Sequence, residues 1–177
     1  MTMYYKGYRV PSARLPGWDY TAGWYFITAC TYQRNPWLST VVNDEVQLLP
    51  VGMIIVEEWQ RTPAVRPNVT IDEWIVMPDH FHGIIAIHRD DADGTDASSP
   101  PPASVLRAGS LGAIIGQWKS VSTKRIRADA CADFAWQTRF YDVIIRDAEM
   151  LERIRRYIAE NPRRWATHQR QSAGVWM

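Results

Sequence analysis

The stretch NVTIDEWIVMPDHFHGIIAIH, residues 68–88, constrains the fold more than any other part of the chain. Val69, Ile71 and Glu73 alternate with Thr70, Asp72 and Trp74, the period-two pattern of a strand. Pro78-Asp79 makes a short turn, and HFHGIIAIH at 80–88 reads as the returning strand. A hairpin of this kind is stable only within a larger sheet. AGWYFITACTY at 22–32, rich in aromatic and β-branched residues, supplies a strand ahead of it, and Tyr141–Ile145 supplies one behind.

Helical patterns separate these strands. From Pro50 the spacing of Ile54, Ile55, Glu58 and Trp59 becomes helical; Pro50 suits a first turn, and Pro63 stops the run at Thr62. LGAIIGQWKSVSTKRIRA at 111–128 predicts an amphipathic helix with Ile114, Ile115, Trp118 and Val121 inward. Asp147 suits the N-cap of a last helix that runs to Asn161, where Pro162 follows. PWLSTVVNDEVQLL at 36–49 holds a small turn at Asn43-Asp44 between short extended pieces. With that turn set aside, the order is strand, helix, strand, strand, helix, strand, helix. This is an α+β, ferredoxin-like, RRM-like βαββαβ order: a four-stranded antiparallel sheet, two helices on one face, and a C-terminal helix bearing Tyr157. The 177 residues fit one such domain, with an aromatic and basic arm at 1–21 and a flexible loop at 89–104 that has no periodicity.

Hydrophobic residues make up 46% of the chain, enough for a buried core, yet no apolar run approaches the length of a membrane span. MTMYYKGYRVPSARLPGWDY lacks the apolar stretch of a secretory signal. Cys30 and Cys131 are far apart in sequence and lack metal-site partners, as expected of buried thiols in a reducing cytoplasm. The formal net charge of +1 says nothing about nucleic acid, but its distribution is uneven. Acidic residues gather in HRDDADGTDASS, and basic ones in KSVSTKRIR and RIRRYIAENPRRW. Such basic helix faces serve equally as plain solvated surface. The nine tryptophans, several beside arginines, suit stacking on unpaired bases as well as core packing.

His80 and His82 are two apart and so project from one face of their strand, while Phe81 projects from the other, into the core. Paired imidazoles are poor core packing but good donors to a divalent cation; two surface histidines near a turn would show the same spacing. A metal site would also need a third protein ligand. In LERIRRYIAENPRRW, Tyr157 and Asn161 are four apart and share a helix face. Asn161 offers a carbonyl oxygen suited to a hard cation, and Tyr157 offers a phenol. A free phenol, with pKa about 10, is barely ionised at neutral pH. A metal beside it can align an attacked phosphate and stabilise its developing charge. Periodicity alone allows a plainer account, with Tyr157 on an apolar face beside Ile154 and Ile158 and Asn161 as a helix cap.

MPDHFHGII, followed at a distance by WQTRFYDVIIRD and RRYIAENPRRW, resembles the single-tyrosine HUH transposases. Among them it is most similar to the REP-associated tyrosine transposases, relatives of the transposases of single-strand insertion sequences. The likeness runs from GWYFITACTYQR to Asn161-Pro162; the family commonly has Asn where this chain has Asp79. The resemblance implies that His80 and His82 bind a catalytic Mg²⁺ or Mn²⁺, that Asn161 is the third ligand, and that Tyr157 is the nucleophile. Tyr141, in the preceding strand, is the lesser alternative. It also implies an enzyme that nicks and joins single-stranded DNA near hairpins. The tyrosine stays on the 5′ phosphate and frees a 3′ hydroxyl, without ATP because the covalent link conserves the bond.

The family recognises a DNA hairpin beside a single-stranded guide. On this chain the arm, with Arg14, and the basic helices offer contacts: Lys119, Lys124 and Arg125 on one helix, and Arg155, Arg156, Arg163 and Arg164 near the C-terminal end. His88 and His168 match no family role. The expected setting is cytoplasmic, on the nucleoid when DNA is bound, with no membrane partner. The family includes homodimers in which the tyrosine helix serves the partner's metal site and monomers in which it serves its own. Two other readings stay open on sequence: a domesticated hairpin-DNA-binding protein without cleavage, and a metal hydrolase in which water attacks and Tyr157 only packs.

Overall fold

The computed structural model describes residues 17–89 and 109–165, together with 4–5, 8–9, 15 and 167. In chain order the elements are β1 (Tyr4–Tyr5), β2 (Tyr8–Arg9), β3 (Gly23–Cys30), β4 (Ser39–Val42), β5 (Glu45–Leu48), α1 (Pro50–Gln60), α2 (Thr62–Val65), β6 (Val69–Met77), β7 (His80–Ile87), α3 (Leu111–Asp129), β8 (Tyr141–Ile145) and α4 (Ala148–Ala159). A further helical stretch follows at 161–165. Strands β6, β7, β3 and β8 pair in that spatial order, antiparallel throughout, which is the sheet expected of the βαββαβ pattern. β1 pairs with β2 inside the arm, whose remaining residues to position 14 lie outside the described residues, as does the 89–104 loop beyond Arg89.

Alternation along the strands divides the sheet into two faces. Tyr25, Ile27 and Ala29 of β3 and Phe81, Ile85 and Ile87 of β7 pack against α1 and α3, where they meet Ile55, Trp59, Ile115 and Trp118 in the main core. The opposite face carries Trp24 and Phe26 of β3 and Ile84 of β7, which pack with Met150, Leu151, Ile154, Tyr157 and Ile158 of α4. The result is three layers, with α1 and α3 on one side of the sheet and α4 on the other. Gly83 is required at its place in β7: a Cβ there would stand 2.7 Å from Phe81 Cε1 and 2.9 Å from Trp59 Cζ2. The turn expected at Asn43-Asp44 joins β4 to β5, and both residues take left-handed φ (52° and 64°), as a type I′ hairpin turn demands.

Three local expectations are corrected. In α3 the buried stripe is Leu111, Ile114, Ile115, Trp118, Ser122 and Ile126, whereas Val121 is 38% exposed. Ser122 belongs inside because its Oγ accepts the Trp136 indole N–H at 3.3 Å, a role that polarity hides. In β6 the alternation breaks at a bulge between Ile71 and Trp74, so Trp74 joins Val69 and Ile71 on the core face and stacks 6.5 Å from Phe81.

The third correction concerns the prolines. Pro63 does not end the helical path at Thr62: α1 stops at Gln60, and α2 resumes with Pro63 in its first turn. Likewise α4 stops at Ala159, and helix resumes at 161–165 with Pro162 in its first turn. The cause is the same in both places. Proline has no N–H for the carbonyl four residues back. That carbonyl, Trp59 O in one case and Ile158 O in the other, accepts instead from the residue two before the proline, Arg61 N or Glu160 N. Each helix is bent rather than stopped. Among the described residues no helix is long and apolar enough to cross a membrane.

Candidate functional site

The β6–β7 turn is fixed from the segment that follows β3. Thr31 N and Thr31 Oγ1 both donate to Asp79 O at 3.0 Å, Leu38 N donates to Pro78 O at 3.0 Å, and Ser39 Oγ donates to Val76 O at 2.9 Å. Register then sets the neighbours. His82 stands opposite Ile75 on one side and Thr28 on the other, and Thr28 opposite Tyr141, so one row crosses all four strands. His80 stands in the next row, between Met77 and Cys30.

Both imidazoles are buried, His80 at 7% and His82 at 5% exposure, with ring centroids 4.6 Å apart. Each has one nitrogen engaged from behind. Asp79 Oδ1 lies 2.6 Å from His80 Nδ1, and Arg34 Nε lies 2.8 Å from Asp79 Oδ2. A carboxylate paired with a guanidinium accepts and does not donate, so Nδ1 of His80 carries the proton. Thr28 Oγ1 meets His82 Nδ1 at 2.9 Å. Burial pushes the His80 pKa below the ordinary histidine value, against the opposing hydrogen bond to Asp79. Burial, with the charges of His80 and Arg34 added, pushes that of His82 down to about 2. Both rings are therefore neutral near pH 7, and Asp79–His80 is a hydrogen bond to a neutral imidazole rather than an ion pair.

With Nδ1 of His80 taken by Asp79, the hydrogen bond His80 makes with the Asn161 side chain falls to its other nitrogen. Asn161 is itself buried, at 6% exposure. The Tyr157 ring lies 5.4 Å from the His82 ring and 6.0 Å, edge-on, from Phe26. Arg164 places its guanidinium 5.4 Å from the Tyr157 ring centre, and Trp165 lies 5.9 Å from His80. Four of the residues singled out in the sequence, His80, His82, Tyr157 and Asn161, thus meet on one face of the sheet. The single helix face inferred for Tyr157 and Asn161 is in fact interrupted at Glu160, yet both still reach the histidines. Tyr141 lies on the same face, beyond Thr28.

The donor chemistry fits a divalent cation: two neutral imidazoles whose Nδ1 atoms are held from behind, and a buried amide oxygen. Among the described residues no group of three or more His, Cys, Asp or Glu side chains could hold a metal, so an amide would have to complete such a set.

The basic residues divide differently. Lys119 Nζ, on the opposite side of the sheet, donates to Gln137 O at 2.6 Å and Thr138 O at 3.3 Å, and burial pushes its pKa down to about 8. Arg125 pairs with Glu57 at 2.7 Å and Glu58 at 2.5 Å, and Lys124 is exposed on the same helix. Arg155 binds Asp72 through two nitrogens, at 2.8 and 2.5 Å. Arg156, Arg163 and Arg164 are exposed, Arg164 pairing with Glu160 at 2.8 Å. Arg14 and His168 lie outside the described residues, and His88 meets Thr70 Oγ1 at 3.1 Å. Sequence reasoning missed Thr28, Arg34 and Trp165, which reach the site from other strands or segments, and left Asp79 without a role although it adjoins His80.

No protein-family model matches the chain. An uncharacterized protein of Haemophilus influenzae (strain ATCC 51907 / DSM 11121 / KW20 / Rd) is 31% identical over 163 residues, 89% of this chain and 91% of that one. Two solved structures are similar at a lower level. One is a REP-associated tyrosine transposase bound to a REP hairpin, 21% identical over 81% of this chain and 68% of that one, with a TM-score of 0.48. The other is a provisionally named transposase of Deinococcus radiodurans R1, 17% identical over 84% of this chain and 96% of that one, with a TM-score of 0.43. By 31% identity over nearly the whole of both chains, this chain belongs to the same family as the Haemophilus influenzae protein.

Proposed function

We propose that the chain is a metal-dependent endonuclease and strand-transferase of single-stranded DNA that works beside hairpins through a 5′-phosphotyrosine intermediate. One arrangement supports this reading: two buried neutral imidazoles on one strand face, with Asn161 against the first and the Tyr157 ring 5.4 Å from the second. In this reading His80, His82 and the Asn161 amide oxygen hold Mg²⁺ or Mn²⁺. When bound, the cation supplies charge neutralisation and alignment for the attacked phosphate. Asp79 and Thr28 engage the Nδ1 atoms of the two imidazoles, so Nε2 of His82 would face the cation, and Nε2 of His80 would exchange its hydrogen bond with Asn161 for it.

Tyr157 supplies the nucleophile. Its oxygen bonds to phosphorus as the bond from phosphorus to the neighbouring 3′ oxygen breaks. The phenolic proton passes to water, and the departing 3′ oxygen takes one up. The products are a 5′-phosphotyrosine and a free 3′ hydroxyl. Attack by a 3′ hydroxyl on that adduct reverses the exchange and releases Tyr157, so the count of phosphate ester bonds never changes. Arg156 and Arg163, exposed on the helical segments that carry Tyr157 and Asn161, and Arg164, which lies over the Tyr157 ring and pairs with exposed Glu160, are the cations suited to the strand's phosphates. Lys119, Arg125 and Arg155 are held by acceptors of their own chain.

The test is incubation with single-stranded DNA that carries a hairpin from the DNA flanking the gene, followed by a denaturing gel. A covalent protein–DNA adduct is expected with Mg²⁺ or Mn²⁺, absent with EDTA and absent in Tyr157→Phe. An undiminished adduct in Tyr157→Phe would show another nucleophile. Hairpin binding by the wild type without any cut would identify a binding protein, and free 5′ phosphates without an adduct would identify water as the attacking group.

A further inference from the structure

We infer that Asp79 and Arg34 are a positioning pair for His80, which fixes the nitrogen this ring presents to a divalent cation and thereby sets how tightly the cation is held. The inference rests on the metal-site reading above. Its basis is the way Asp79 is divided. One carboxylate oxygen faces His80 Nδ1 at 2.6 Å, the other faces Arg34 Nε at 2.8 Å, and its backbone oxygen takes two hydrogen bonds from Thr31 at 3.0 Å. Neither the backbone nor the side chain of Asp79 is left free to turn. Asp79 is buried at 6% exposure, so its hydrogen bond to His80 works away from competing water.

Arg34 is built to this place. It sits in a 3₁₀ turn after β3, where Gln33 and Arg34 adopt φ of 53° and 60°, left-handed values that L side chains resist. That backbone carries the guanidinium across to the β6–β7 turn, where Nη1 also donates to Cys30 Sγ at 2.8 Å. Cys30 is the β3 residue opposite His80, so one guanidinium ties the strand beside His80 to the carboxylate behind it. Backbone strain held in place at such a point marks a functional constraint. Groups that orient a ligating imidazole from behind typically govern metal affinity by about 10- to 100-fold.

The experiment titrates the full chain with Mn²⁺ alone, without DNA, and follows free Mn²⁺ by electron paramagnetic resonance. Asp79→Ala is expected to bind about 10- to 100-fold more weakly than wild type while still unfolding in a cooperative transition. Asp79→Asn, which keeps an oxygen facing Nδ1, should recover part of that loss, and Arg34→Ala should lose less than Asp79→Ala. If Asp79→Ala fails to fold, Asp79→Asn and Arg34→Ala carry the test, and wild-type affinity in both overturns the inference. A folded Asp79→Ala with wild-type affinity overturns it as well. Wild-type protein that binds no Mn²⁺, or binds it equally after His80→Ala and His82→Ala, sinks the metal reading itself. Binding that needs both histidines yet ignores Asp79 and Arg34 sinks this inference alone.

Discussion

His82 couples the site to acid stability. A histidine in the unfolded chain titrates near 6.5, whereas His82 in the folded protein titrates near 2 because its ring is buried. Between those values the unfolded chain binds the additional proton, so stability is present above pH 6.5 and is lost as pH falls below it. The loss approaches about 1.4 kcal/mol for each pH unit from this residue, and His80 is displaced in the same direction. Urea titrations of metal-free protein between pH 7.5 and 5 should show this slope, and His82→Gln should flatten it. An equal slope in His82→Gln would place the acid sensitivity elsewhere. The period-two spacing of His80 and His82 made their shared strand face legible from the sequence, since no tertiary information is needed to place i and i+2 together. Thr28 and Arg34 were not legible: Thr28 serves His82 from 54 positions away, a separation that β3–β7 register alone closes.

At the scale of elements, α4 is held to the sheet at two points of different character. Apolar side chains from Met150 to Ile158 cover Ile84 and Ile145, while Arg155 grips Asp72 with two nitrogens. Asp72 is available for this because it follows the core-facing Ile71 and so projects to the α4 side of the sheet, before the phase has shifted at Trp74. Its carboxyl is held below the ordinary range chiefly by the hydrogen bond from Arg155. Removing that grip in Arg155→Ala should speed hydrogen exchange of the α4 amides by about 10-fold or less, as for loss of one partly exposed pair. The amides of β3 and β7 should be unaffected, and equal acceleration in both would mean that the pair supports the whole sheet. Element order was readable because hydrophobic period and turn residues mark it. Helix ends were not, at Pro63 and Pro162, because a proline deletes one donor and the chain can carry a bend in place of a stop. The bulge was hidden for a related reason: strict alternation is the pattern one reads, and an extra residue looks like its continuation.

The molecule as a whole has two cores of unequal size, a large one under α1 and α3 and a small one under α4. Phe81 belongs to the first, wedged among Trp59, Trp74 and Trp118, and Phe81→Ala should cost about 3–5 kcal/mol in global stability by urea unfolding. Ile158→Ala removes a buried side chain from the second and should cost about 2 kcal/mol or more, felt first as local opening of α4. Equal protection of α4 in both variants would argue for one cooperative unit. The site lies beside the smaller core, with its histidines on a central strand and its tyrosine on α4, so local opening of α4 would part the two halves. The row of paired residues that crosses the sheet carries one last consequence. Sliding β7 by one position along β3 would present Phe81 and Gly83 where His80 and His82 now stand, with every letter of the sequence intact. The information in this site is therefore held in counting as much as in spelling. A lineage can exchange individual residues around the histidines, but gaining or losing a single codon in the Pro78-Asp79 turn changes the frame in which the entire row is read.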